Sequence, residues 1–177
     1  MAPLEGITGY IYRNAYHSCF NHIDKYFAPF IVANQNGNLK NRDINDILPE
    51  NNIGQVLIPQ LLTNNARDFI ESSKKIRMLG YQEINLNLGC PSGTVVSKGK
   101  GSGFLAKKEE LDAFLYEIFS ESITKISIKT RLGIERPEEF FELIQIYNKY
   151  PLEELIIHPR VQKDFYKNKP NLHIFKE

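Results

Sequence analysis

Cys90 stands in the segment Asn87-Leu88-Gly89-Cys90-Pro91, directly after a run that alternates polar and apolar residues. An ordinary thiol is mostly protonated at neutral pH, so it can serve as a proton donor. Gly89 permits backbone conformations closed to other residues, and Pro91 fixes the exit from the turn. The thiol is therefore presented on a rigid turn. A free cysteine more often ends as a small buried hydrophobe, but a Gly-Pro turn is not an apolar face. Cys19 is the opposite case, since it shares a helical stripe with Ile11 and Ala15 and is expected in the core.

Other polar residues fall at the ends of strand-like runs: Pro3-Leu4-Glu5, Gln60, Asn87, then Lys129 with Arg131, then His158 with Arg160. A lysine at the end of a buried strand is costly unless something negative meets it, and a negatively charged cofactor would do so. Five of the chain's eleven glycines lie between residues 89 and 103, together with Lys98 and Lys100. Such a loop could cradle phosphates through its N–H groups or close over a substrate. It lacks the G-x-x-x-x-G-K-[ST] spacing of nucleotide-hydrolysing loops. His17, His22 and His173 form no constellation. The two cysteines have no metal-ligand spacing, so no metal is expected.

These residues need elements to hold them, and the chain alternates strand-type runs with amphipathic helices. The pattern predicts six strands, near residues 2, 26, 57, 85, 127 and 156. Between them lie helices over about residues 8 to 20 and 64 to 79, one carrying Leu111, Phe114, Leu115, Ile118 and Phe119, and one opening at Pro137. Repeated β-then-α order argues for a parallel sheet covered by helices. Glu5-Gly6-Ile7-Thr8-Gly9 is not the Gly-rich turn of a doubly wound sheet. The expected architecture is an incomplete (β/α)₈ barrel of about six βα units, because a full barrel has eight strands and about 250 residues.

Composition sets the bounds. The chain has 177 residues, 42% of them hydrophobic, with 22 basic against 21 acidic side chains. That is enough apolar material for one core, and residues 1–177 are read as one partial barrel domain. The near-neutral balance excludes a disordered polyelectrolyte and gives no global sign of nucleic-acid binding. No apolar run approaches the roughly 20 residues of a membrane helix, and the N-terminus lacks signal-peptide features. A cytoplasmic protein with no membrane partner is expected.

Ala2-Pro3-Leu4-Glu5-Gly6-Ile7-Thr8, Asn87-Leu88-Gly89-Cys90-Pro91, Lys129-Thr130-Arg131 and His158-Pro159-Arg160 resemble, in order and spacing, the tRNA-dihydrouridine synthase family. The resemblance covers nearly the whole chain. It implies an FMN-binding (β/α)₈ barrel followed by a small helical domain, and NADPH-dependent reduction of the C5=C6 bond of specific uridines in tRNA. Carried over by position, Pro3, Leu4 and Glu5 would line the flavin, Gln60 would bond its edge, Lys129 would sit by its N1/C2 carbonyl region, and His158 would add a contact. Asn87 would orient the uracil and Cys90 would protonate C5 while hydride arrives at C6. Arg131, Arg160, Lys98 and Lys100 would face the RNA. The base must leave its stack to reach such a site.

Asn85 stands where many relatives carry Asp. Family members are also longer, so the last barrel strands and the helical domain are expected to be absent here, or supplied by a separate polypeptide. Two other readings remain at this point. One is an FMN barrel acting on a free pyrimidine, like dihydroorotate dehydrogenase; the other is a non-catalytic fragment that binds RNA.

Overall fold

The periodic runs resolve, in a computed structural model that describes residues 1–20 and 22–176, into helices and strand segments in regular succession. Helix α1 (Tyr10–Cys19) precedes β1 (Tyr26–Phe27) and β2 (Ile31–Val32). Then come α2 (Asn41–Ile47), β3 (Leu57–Ile58), β4 (Gln60–Leu62) and α3 (Ala66–Met78). The remainder is β5 (Glu83–Leu88), α4 (Gly93–Val96), α5 (Lys108–Glu121), β6 (Lys125–Arg131), α6 (Phe140–Tyr147), β7 (Leu155–His158) and α7 (Leu172–Lys176).

All the strand pairings are parallel. One sheet runs β2-β4-β5-β6-β7, in chain order, and β1 pairs with β3 beside it. Sequential order is the signature of a barrel wall, whereas a doubly wound sheet reverses direction partway. The chain is thus a partial parallel β/α barrel. Pro29 and Pro59 lack the N–H that a ladder needs, and each splits one expected strand into two short segments.

The first expected strand is not formed. Residues 2–4 have no strand pairing, although Phe27 N–H donates to the Met1 carbonyl at 3.1 Å and the Met1 amine donates to the Lys25 carbonyl. The chain start therefore lies alongside β1 for a single residue. Sequence reading also missed α2 and α7, both too short to show a full apolar stripe.

Register divides the sheet into two faces. Leu61 pairs with Leu86, Leu86 with Ile128, and Ile84 with Ile126. These side chains join one core with Phe69, Ile70 and Ile76 of α3, Leu111, Phe114, Leu115 and Ile118 of α5, and Leu143 and Tyr147 of α6. The opposite, concave face aligns Gln60 with Asn85, Asn85 with Ser127, Asn87 with Lys129, and Arg131 with His158. Side chains alternate along a strand, so a single register places all of these polar groups on one side.

Helix α1 is turned differently from its expected orientation. Ile11 and Cys19 are exposed, so Cys19 is not a core residue. The helix instead buries Arg13 completely. Its guanidinium donates to the Thr8 carbonyl at 2.8 Å, Asp46 Oδ2 at 3.0 Å, the Asp46 carbonyl at 2.7 Å and Asn52 Oδ1 at 2.8 Å. Four acceptors on neighbouring segments fix the helix rotation more strongly than one apolar stripe can, because a buried charge left unpaired is far costlier than an exposed isoleucine. No helix among the described residues is long and apolar enough to cross a membrane.

Candidate functional site

The polar ends of the strands meet in a cavity at the concave face. Seven of the residues expected at a site line it: Pro3, Leu4, Glu5, Gln60, Asn87, Cys90 and Lys129. Pro29, Phe30, Gly89 and Tyr166 complete the lining. A second cavity, of about 360 Å³, shares Glu5, Pro29 and Phe30 with it. Ligand pockets commonly span about 300–1,000 Å³, so the two together have the room of one.

The thiol is held by its own strand end. Asn87 Oδ1 accepts from the N–H of Gly89 at 3.0 Å and of Cys90 at 2.9 Å, closing the turn. The Cys90 carbonyl accepts from Ser102, through its hydroxyl at 2.9 Å and its N–H at 3.0 Å. Asn87 Nδ2 in turn donates to Gln60 Oε1 at 2.8 Å. Asn87 is therefore committed first to building the Cys90 turn, and one N–H of its amide remains for a ligand.

The Lys129 amine makes no hydrogen bond or ion pair with any described residue. Burial pulls its amine below the usual lysine range; the nearby Arg131 charge adds to this, while Cys90 opposes it. A half-buried, unpaired cation facing a cavity favours a ligand with an electron-rich or anionic edge. Glu5 also lines the cavity and pairs with Arg42 at 3.2 Å. Burial lifts its carboxyl above the ordinary range, and Arg42 pulls it back.

The other expected residues lie outside the cavity lining. Arg131 does not face outward toward RNA: it is almost fully buried. Its Nε donates to the Gly89 carbonyl at 2.8 Å, and its Nη1 donates to the carbonyls of Val161 and Phe165, each at 2.9 Å. The guanidinium also lies 5.4 Å from the centre of the Tyr166 ring. It ties the Cys90 turn to the segment after β7, where Phe165 adopts a left-handed φ of 48°. Such strain persists only where neighbours over-determine the backbone, and Arg131 is one of those neighbours.

Arg160 is half-buried, not free on the surface. Its Nε donates to the Asn168 carbonyl at 2.6 Å and its Nη1 to His158 Nε2 at 2.7 Å. Since arginine only donates, His158 Nε2 accepts and its proton sits on Nδ1. Burial, reinforced by the charges of Arg131, Lys129 and Arg160, pulls His158 down to about 4. The ring is neutral at pH 7.

Most of the glycine- and lysine-rich loop is folded on itself. The N–H groups of residues 95 to 100, 102 and 103 all donate to carbonyls of residues 90 to 100. Val95, Phe104 and Leu105 are buried. Lys98 is exposed and Lys100 half-buried.

Residues 3, 60, 87, 90 and 129 were legible in the sequence, although no strand forms at residue 3 and Gln60 opens β4 where it was expected to end a strand. Tyr166 was not, for it follows a 3₁₀ turn with no periodic signal. Asn85 and Ser127 were also missed, though both share the concave face with Asn87 and Lys129 by simple alternation.

The lining suits a flat ring with an electron-rich carbonyl edge, such as that of a flavin. Proline, leucine and phenylalanine walls offer apolar contact, Lys129 offers an unpaired cation, and Gln60 keeps one unused N–H. Among the described residues no group of three His, Cys, Asp or Glu side chains is placed to hold a metal ion.

A family model described as dihydrouridine synthase matches residues 1–176. A protein of Staphylococcus epidermidis called "Probable tRNA-dihydrouridine synthase" is 25% identical over 176 residues, which cover 94% of this chain and 51% of that protein. One of Staphylococcus aureus with the same name is 25% identical over 170 residues, with the same coverage. "Probable tRNA-dihydrouridine synthase 2" of Bacillus subtilis is 24% identical over 168 residues. The chain spans about half the length of these relatives. With the match running nearly end to end, and with the parallel wall and its strand-end pocket in place, this chain belongs to the dihydrouridine synthase family.

Proposed function

We propose that the chain carries the ring-binding and proton-donating side of a tRNA-dihydrouridine synthase. The reaction is reduction of the C5=C6 bond of uridine in tRNA, with FMN as the resident cofactor and NADPH as its reductant. One observation carries this reading: Cys90, Gln60, Asn87 and Lys129 converge with residues 3–5 on a single cavity.

Pro3, Leu4, Glu5, Gln60 and Lys129 would hold the flavin ring, and bound reduced FMN supplies the hydride that adds to C6. Lys129 places positive charge at the cavity wall, where a ligand's carbonyl edge gains electron density. Cys90 gives its proton to C5, so the S–H bond breaks as the C5–H bond forms, and the thiolate regains a proton from solvent. The spare N–H of Asn87 is available to a uracil carbonyl. Tyr166 and Phe30 offer aromatic surface to an unstacked base. Exposed Lys98 is the expected loop residue best placed to meet tRNA phosphates, since Arg131 and Arg160 are engaged internally.

The test uses the 177-residue chain, FMN, NADPH and unmodified tRNA. The expected result is a bound-flavin absorbance band and dihydrouridine detected by mass spectrometry of digested tRNA. Cys90→Ala should keep the flavin and lose product formation by about 10²–10⁴-fold, the usual worth of a positioned proton donor. A chain that takes up no flavin, or one that turns over free dihydroorotate and leaves tRNA untouched, overturns the reading.

A further inference from the structure

The concave face holds an unbroken line of side-chain hydrogen bonds that runs from β6 to the thiol's turn. Asn85 Nδ2 donates to Ser127 Oγ at 3.0 Å, and Gln60 Nε2 donates to Asn85 Oδ1 at 2.7 Å. Asn87 Nδ2 donates to Gln60 Oε1 at 2.8 Å, and Asn87 Oδ1 accepts the two turn N–H groups of Gly89 and Cys90. Gln60, Asn85 and Ser127 are completely shielded from solvent, so water does not substitute for a missing partner.

The direction of the line is fixed from one end. Backbone N–H groups only donate, so the turn forces the Asn87 oxygen toward Cys90 and its NH₂ toward Gln60. That sets the Gln60 oxygen toward Asn87 and the Gln60 NH₂ toward β5. Position 85 must then present an acceptor. A donor or an apolar group there leaves the Gln60 NH₂ buried without a partner, and the cheapest relief is rotation of the Gln60 amide, which sets its NH₂ against that of Asn87.

We propose that Asn85 is a positioning residue for Cys90. It acts through Gln60 and Asn87 to hold the turn that presents the thiol, and it sets which atoms Gln60 turns to the cavity. The catalytic importance of this placement rests on the proton-donor role proposed for Cys90. The placement itself does not, and it is tested without cofactor or tRNA.

The experiment follows amide hydrogen exchange in the 177-residue chain, comparing Gly89 and Cys90 with Ile126 and Ile128 of β6. Asn85→Leu should speed exchange at the two turn amides by about tenfold, the loss of roughly one net hydrogen bond, and leave the β6 amides within about twofold. Asn85→Asp keeps the acceptor, with Ser127 donating to it, and should restore the wild-type rates. Iodoacetamide should modify Cys90 faster in Asn85→Leu when read against exposed Cys19 as an internal reference.

Because the residues act in series, adding Gln60→Met to Asn85→Leu should open the turn no further than either change alone. Additive opening, equal acceleration of the β6 amides, or an Asp variant that behaves like Leu makes Asn85 a packing residue and overturns the proposal. Should Asn85→Leu not fold, Ser127→Ala strips the terminal acceptor more gently. A rise of about threefold at the same two amides is then expected, and none overturns it.

Discussion

His158 illustrates how the charge around the cavity constrains single residues. Its ring sits with Arg131, Lys129 and Arg160 as positive neighbours, is partly buried, and is pulled down to about 4. An unfolded chain holds the same histidine near ~6.5. Between these values the unfolded state binds the extra proton and the folded state does not, so stability falls as pH drops from about 6.5 toward 4. Protonation also breaks the bond from Arg160 to Nε2, leaving two cations face to face. His158→Asn removes the titration and should flatten this part of the profile. Urea unfolding at pH 7 and pH 4.5 checks it: the wild type should lose more stability than the variant across that interval. An equal loss in both would place the acid sensitivity on the carboxylates instead.

At the scale of elements, the segment from Cys90 to Ala106 is a folded part of the site. Gly101 adopts φ +56°, and a Cβ there would stand 2.7 Å from the Cys90 carbonyl oxygen and 3.1 Å from the Cys90 Cβ. Gly101→Ala therefore adds a clash against the Cys90 turn to the strain of a left-handed backbone, together about 1–3 kcal/mol. Gly80, at φ +99°, has nothing within 4 Å of its added Cβ, so Gly80→Ala bears the conformational part alone. Urea unfolding should rank Gly101→Ala as the more damaging, and only that variant should change the alkylation of Cys90 relative to Cys19. Much of this architecture was readable from residue order. Strands β5, β6 and β7 and helices α3, α5 and α6 carry long periodic patterns, and the strand ends at Gln60, Asn87 and Lys129 gave most of the pocket. Cys19 was judged from its own helix and Arg131 from the family resemblance, while the positions of both are set by distant partners. Arg13 turns α1 outward through acceptors 33 to 39 residues away, and Arg131 is drawn inward by carbonyls 30 to 42 residues away. The compact loop was misread for a similar reason, because glycine content signals permitted conformations and says nothing of which bonds close them.

At the scale of the molecule, the partial barrel divides the labour of holding a cofactor. On the proposed reading, Gln60 and Lys129 of the sheet and residues 3–5 before α1 would hold the ring, whereas in complete barrels the phosphate site commonly follows strands seven and eight. The described sheet reaches only the sixth unit of that order, at β7. Within it the loop rich in glycine and lysine spends eight of its N–H groups, those of residues 95 to 100, 102 and 103, on its own carbonyls. Lys98 and Lys100 are its cationic means of meeting a phosphate, and an exposed lysine held by no second donor contributes about 1 kcal/mol or less. The 177-residue chain should therefore recognise the flavin ring and be nearly indifferent to the phosphate. Fluorescence titration with riboflavin and with FMN should give dissociation constants within about fivefold of each other, the factor that one exposed lysine at the ~1 kcal/mol ceiling supplies. The difference should shrink further as salt screens the two lysines. Binding of FMN more than tenfold tighter, undiminished at high salt, would instead mean that the loop opens its N–H groups to the phosphate, and the internal bonding of residues 95 to 103 would then describe only the ligand-free arrangement.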